Sequence, residues 1–422
     1  DDSYKSPEIC WSFYIKSPKI DGSPKATVLV ELYLRSLEEI LSPITSFARL
    51  GGLYMNTSYE NLKLNVSING YSEKAEHFLS HIIPTLKKVI PSEKEFSIYK
   101  ESLLLEYENA SKDLPLFQAM ELLSNLLFND DPTSDQKASA VKEISYEEFS
   151  AFSRDLLQEV YIEAMLFGNM NMQQANDVWT LVKRTLEAKA YPSFKHHRKE
   201  ILILPSKEGP FMLFEKTDRL GNATVLLIEE GSFSFPKKAA AQILGKALHE
   251  AFFSTLRTKQ QTGYIAKSSD KDIEGQLLRV FFVQSATHRP DDLIARFEVF
   301  LEDYVKDFSS YLPEERFETI KKMLVELLKQ PPKNMQEKAD RLELYAFTYN
   351  GDFDWNEKTI QAIEELKYSQ FKEYAISSIS RANLKRLAIL MEGITPTDKE
   401  FRYEIVDQNE IKERGSYISW KK

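Results

Sequence analysis

The chain of 422 residues contains one cysteine, Cys10, so no disulfide can form within it. That suits a reducing compartment, but many periplasmic proteins also lack disulfides, so the location stays unknown. Glycine is scarce at 14 residues, and no glycine-rich phosphate-cradling loop occurs. Basic residues fall short of acidic ones, 55 against 64, leaving a formal charge of −9. Gripping nucleic acid calls for the opposite balance, which argues against that partner. Long apolar runs are missing as well. ATVLLI at 223–228 is far below the roughly 20 residues of a membrane span. No G-x-S-x-G elbow accompanies a histidine, which argues against a serine-hydrolase triad. The chain opens at Asp1 and runs directly into ICWSFYI, with no leader pattern; a processed product or an excised fragment is expected.

What is present is a large apolar complement, 42% hydrophobic and 12% aromatic, ample for packed cores in two or three domains. The two halves of the sequence resemble each other. ISYEEFSAF at 144–152 matches LKYSQFKEY at 366–374, an offset of 222. PSEKEFSIYK at 91–100 matches PEERFETIKK at 313–322, with Phe96 and Phe317 offset by 221. Apolar strands ending at Gly168 and Gly393 follow the aromatic runs, and FARLGGLY at 47–54 loosely matches FSTLRTKQQTGY at 253–264. Segments that share nearly one offset imply a domain duplication. The expected division is 1–190 and 201–422, joined by a polar, basic linker at 191–200.

Each copy mixes element types. LKLNVSI at 62–68 alternates apolar and polar residues as a half-buried strand does, and LLRVFFV at 277–283 reads as a more buried counterpart. Amphipathic helices are expected over 96–109, 115–128, 291–304 and 317–328. The fold class is therefore α+β, each domain an antiparallel sheet covered by helices on one face.

A further helix, entered at Pro236, carries a core stripe of Leu244, Leu248, Phe252 and Leu256. A second row beside it steps His249, Phe253 and Arg257, and Tyr264 follows a glycine shortly after. Each residue has an ordinary account. Phe253 could pack under a loop, Arg257 could complement the helix dipole, and Tyr264 could open a strand. Together, an aromatic knob, a fixed cation and a phenol suit gripping an extended peptide, with Arg and Tyr donating to its carbonyls.

LRTKQQTGY at 256–264 resembles the LRT-x-EQ-x-GY signature in the C-terminal half of the insulin-degrading-enzyme (insulysin/pitrilysin) family of zinc peptidases. INGYSEK at 68–74, IEAMLFGNM at 162–170, IEGQLLRVFFVQS at 273–285, ICWSFYI at 9–15 and PPK at 331–333 extend the resemblance over essentially the whole chain. The resemblance implies four similar α+β domains, paired into two bowl-shaped halves that close around a peptide. This chain would be the third domain, lacking its first strand, and the fourth. Arg257 and Tyr264 would bind the scissile carbonyl and its oxyanion, and Phe253, with His249 beside it, would belong to a substrate side-chain pocket. Zinc would reside in an N-terminal half absent from this sequence, so this chain alone is expected to be inactive. Its partners would be that half and unstructured peptides, with no membrane involved. Two departures stand out: Gln260 replaces the usual Glu, and Thr262 an apolar residue.

The family's metal motif, H-x-x-E-H, is not found. His197 begins it, but Ile201 occupies the last position; His249-Glu250 begins the reversed pattern, but Phe253 ends it. His77 and His81 have i,i+4 spacing on an expected helix with no Glu in the base position, which reads as a solvated face. No metal ligands are assigned. A non-catalytic scaffold or processing-complex subunit of the same fold is the alternative function, and the pairing of Arg257 with Tyr264 argues against it.

Overall fold

The computed structural model describes residues 6–394 and 403–420; the expected start at Asp1 lies outside them. In the first half of the chain the strands are β1 (Glu8–Lys16), β2 (Leu53–Glu60), β3 (Lys63–Tyr71), β4 (Glu159–Gly168) and β5 (Lys189–Ala190). The helices there are α1 (Pro24–Leu50), α2 (Ala75–Leu86), α3 (Glu93–Ala110), α4 (Pro115–Leu127), α5 (Ser134–Glu143), α6 (Tyr146–Asp155) and α7 (Met172–Leu186). In the second half the strands are β6 (Ile201–Ile203), β7 (Phe211–Lys216), β8 (Asn222–Ser232), β9 (Ile265–Ile273), β10 (Gln276–Ser285), β11 (Arg386–Glu392), β12 (Glu404–Ile405) and β13 (Ser416–Ile418). Its helices are α8 (Phe235–Phe252), α9 (Pro290–Lys306), α10 (Phe308–Tyr311), α11 (Glu314–Lys329), α12 (Met335–Glu343), α13 (Trp355–Glu365), α14 (Tyr368–Ile379) and α15 (Gln408–Arg414).

Local chemistry explains many boundaries. Ser92 caps α3 and Glu95 reaches back to its backbone, a capping box; Thr133 and Gln136 do the same for α5. Proline in the first turn opens α1, α4, α8 and α9. Along β3, Leu64, Val66 and Ile68 are buried, and Lys63, Asn65 and Ser67 between them are not.

Two compact units result, and neither is a continuous stretch of chain. The first takes the chain up to Ser111, Asp130–Lys199 and Pro331–Phe353; the second takes Lys112–Asn129, Glu200–Gln330 and the chain from Asp354 onward. The first sheet has the order β2-β3-β1-β4-β5 and the second β12-β7-β11-β8-β10-β9. Read from β2 and from β9, the first four strands follow the same pattern, β2-β3-β1-β4 and β9-β10-β8-β11. Both runs are antiparallel, with a parallel strand added after the fourth: β5 beside β4, and β7 beside β11.

The segments exchanged between halves occupy equivalent places in the repeat. Pro115 opens α4 and Met335 opens α12, 220 residues later. In the second unit, α4 lays Leu116, Ala119, Leu123 and Leu126 against Val225, Leu227, Leu278, Val280 and Ile389. This adds a layer to the sheet face opposite the main helices and explains why β10 is buried almost throughout. In the first unit, α12 places Met335 and Ala339 against Cys10 and Phe167. Burial, followed by the charges of Asp340, Glu8 and Glu343, pushes the Cys10 thiol up to about 12. Helices on one face thus describe the main layer of each sheet, and the exchanged helix is an addition that periodicity did not reveal.

Candidate substrate-gripping site

The site lies in the second unit, where α8 ends. Buried ions hold this helix to the sheet. Arg279 on β10 is fully buried and donates from Nη2 to Glu230 at 3.2 Å and to the Ala241 carbonyl of α8 at 3.0 Å. The Tyr374 hydroxyl donates to the same Glu230 at 2.9 Å. Burial opposes the Arg279 cation most strongly, but the charge and hydrogen bond of Glu230, with Asp270 and Tyr374, together outweigh it and hold the guanidinium above its ordinary range. Gly245 gives clearance here, because a Cβ would fall 2.3 Å from Asp270 Oδ1. Near the helix start, Lys238 pairs with Asp272 of β9 at 2.7 Å.

The core stripe forms as expected, with Leu244, Leu248, Phe252 and Leu256 all buried. The helix does not continue as α, however. From Phe253 to Lys259 it widens into a π-helical turn, closed by Gln260 N–H donating to the Thr255 carbonyl at 3.0 Å. Thr262 then donates twice to the Leu256 carbonyl, from its backbone N–H at 3.0 Å and its hydroxyl at 2.9 Å. A threonine in place of an apolar residue thus has a definite role, capping a carbonyl that the wide turn leaves open. Gln260, the other departure, accepts from Arg296 Nη1 at 3.1 Å, and Arg296 Nε donates to Asp292 at 2.9 Å. The turn is completed by Gln261 at φ 53° and by Gly263, whose Cβ would lie 1.9 Å from the Gln284 carbonyl on β10.

This turn brings three of the expected residues together. The Arg257 guanidinium carbon lies 4.9 Å from the centre of the Phe253 ring and 5.0 Å from that of Tyr264. The cation is held between two aromatic faces, where the ring quadrupoles attract it. A cation–π contact of this kind uses none of the guanidinium N–H groups as hydrogen-bond donors. Among the described residues, neither Arg257 nor Tyr264 has a hydrogen-bond or ion-pair partner. Tyr264 is 84% exposed and stands immediately before β9, an edge strand. Phe253 is half-buried, with the cation over its ring.

His249, the fourth expected residue, is exposed, and its Nδ1 lies 3.0 Å from the Ser268 carbonyl. A carbonyl only accepts, so Nδ1 is the donor in this contact. The π turn and the Arg296–Asp292 anchor were not anticipated. Their one visible signal was the GY pair, whose glycine is demanded by the close strand. Among the described residues, no group of three or more His, Cys, Asp or Glu is placed to hold a metal, and no helix is long and apolar enough to cross a membrane.

Comparison with known proteins sets this geometry in context. Residues 1–140 match the model of the middle or third domain of peptidase M16, and residues 243–343 match that of the PQQ synthase PqqF-like C-terminal lobe domain 4. The chain is 25% identical over 433 residues to a nardilysin-like protein of Arabidopsis thaliana, covering all of this chain and 41% of that protein. It is 28% identical over 380 residues to human insulin-degrading enzyme, covering 87% of this chain and 37% of that enzyme. The crystal structure of pitrilysin superposes over the full length of this chain and 45% of its own, with a TM-score of 0.84 at 20% identity. The chain therefore spans about two fifths of the length of these relatives. The third-domain match, the similarities over most of this chain and the shared fold together liken the chain to the C-terminal half of the insulysin/pitrilysin-like peptidase M16 family.

Proposed function

We propose that this chain is the substrate-binding, transition-state-assisting half of a zinc metalloendopeptidase that degrades peptides in a closed chamber. The two repeat copies, 1–190 and 201–422 with the 191–200 linker, would be its third and fourth domains. Zinc and the general base would come from an N-terminal half, the partner of this chain.

The supporting observation is the state of Arg257 and Tyr264. The two side chains are in cation–π contact, and among the described residues their side-chain donors have no partner. Donors immobilised before the reaction suit a developing oxyanion, because little reorganisation is needed when charge appears. The Arg257 N–H groups and the Tyr264 hydroxyl would donate to the scissile carbonyl oxygen. Phe253 would hold a substrate side chain, and His249, through Nε2, would take a backbone N–H of the bound peptide.

The test is cleavage of a quenched fluorescent, unstructured peptide by this chain alone and after mixing with its N-terminal half and zinc. The chain alone is expected to be silent and the mixture active. Tyr264→Phe and Arg257→Ala should each lower turnover on the order of 10- to 1000-fold, the range for loss of an oxyanion donor. Activity from the chain alone would overturn the proposal. A mixture that binds peptide but never cuts it would instead support the scaffold reading.

A further inference from the structure

Two imidazoles face each other in the first unit, whereas the site above belongs to the second. His77 and His81 lie one turn apart on α2, both exposed. Their Nε2 atoms are 3.3 Å apart, the ring centres 4.6 Å apart, and the ring planes nearly perpendicular at 89°. The nitrogens are closer than the ring centres, so the rings meet at their Nε2 corners instead of stacking. A zinc–imidazole bond is about 2.0–2.1 Å, and two such bonds at a tetrahedral angle place their nitrogens about 3.3–3.4 Å apart. The observed spacing is that of two ligands on one ion.

The pair stands on a firm base. Phe78, Leu79, Ile82 and Ile83 bury the opposite face of α2. The hydroxyls of Ser80 and Thr85 donate to the carbonyls of His77 and His81 at 2.6 and 3.0 Å. The helix thus presents both rings without cost to the core.

We propose that His77 and His81 form a two-point site for a borderline divalent transition-metal ion such as Zn2+, Ni2+ or Cu2+, with water completing its coordination. Among the described residues, no third His, Cys, Asp or Glu joins them, so the ion would be exchangeable. A catalytic zinc needs three protein ligands, which sets this site apart from the peptidase chemistry. Imidazole favours these ions over Mg2+ and Ca2+, and affinity should rise from Co2+ through Ni2+ to Cu2+.

The experiment is calorimetric titration of the chain with CoCl2, NiCl2, CuCl2 and MgCl2, with thermal unfolding under the same conditions. His77→Gln and His81→Gln should each weaken Ni2+ binding at least about 10-fold, since a two-ligand chelate becomes a single contact. Both variants should keep the metal-free Tm, because the two side chains are exposed. Ni2+ should raise the Tm of the unaltered chain only, as an ion bound to the folded state does. Two results would overturn the proposal. In one, Ni2+ at millimolar concentration gives neither heat nor a Tm shift, and the contact is only an N–H···N hydrogen bond. In the other, binding survives both substitutions, and the ion sits on other histidines.

Discussion

The guanidinium carbon of Arg257 lies over the ring of Tyr264, 5.0 Å from its centre, and 4.9 Å from that of Phe253 on the preceding turn. A planar guanidinium suits such a contact better than a compact ammonium does. Arg257→Lys keeps the cation but loses the flat surface that rests between the rings. In the peptidase proposed above it should lower turnover on the order of 10-fold or more, approaching Arg257→Ala. Turnover close to that of the unaltered protein would show that charge alone suffices.

Gly263 approaches β10 so closely that a Cβ would fall 1.9 Å from the Gln284 carbonyl. Gly263→Ala must push the turn away from the strand. We expect a loss of about 1–3 kcal/mol in denaturant unfolding, as for overpacked sites. Displacement of Tyr264 should follow, visible as altered tyrosine signals in NMR spectra at denaturant concentrations where the chain is still folded.

The Arg279–Glu230–Tyr374 cluster sets a graded test. Glu230→Gln leaves a buried guanidinium without its counter-charge, and should cost about 3–5 kcal/mol. Tyr374→Phe removes one hydrogen bond to a carboxylate that keeps Arg279, and should cost about 1.5–3 kcal/mol. Urea unfolding of both variants checks the order. Equal losses would mean that the cluster acts through packing and not through charge.

His288 links the turn to pH. Burial, and then the positive charge of Arg296, lower its basicity below the ordinary value of 6.5, while Asp292 and the Thr262 backbone act in the opposite sense. The unfolded chain therefore binds the proton more readily than the folded one. The stability this residue contributes is complete above pH 6.5 and declines as pH falls below it. His288→Gln should flatten that part of the stability profile, measured as Tm between pH 7.5 and 5.5. An unchanged slope would place the acid sensitivity elsewhere.

Much of this architecture was legible in the residues. The offset between ISYEEFSAF and LKYSQFKEY reappears as α6 and α14, and PSEKEFSIYK and PEERFETIKK as the starts of α3 and α11. Residues such as Phe149 and Phe371 bury the same face in each copy, and side-chain periodicity reports burial directly. The widening of the helix after Phe252 was not legible. It depends on where the carbonyls of Thr255 and Leu256 find donors, and those donors, Gln260 and Thr262, follow from the tertiary position of the turn. Nor could the sequence show which sheet α4 covers. The pattern of Leu116, Ala119, Leu123 and Leu126 demands an apolar neighbour without specifying whose.

That exchange constrains the order in which the protein can be made. As the chain leaves the ribosome, the first unit has its sheet strands and main helices by Lys199, yet Pro331–Phe353 is still to be synthesised. Until then Cys10 and Phe167 lack their α12 cover. Meanwhile α4 must wait for β8, β10 and β11 to exist before its apolar face has anywhere to go. Growth from the N-terminus therefore yields no finished unit partway through, and the two units reach completion late and nearly together. A stop codon or a slow translational pause between Lys199 and Pro331 would release or hold a chain with both a bare sheet face and an orphaned amphipathic helix, the state most exposed to chaperones and aggregation.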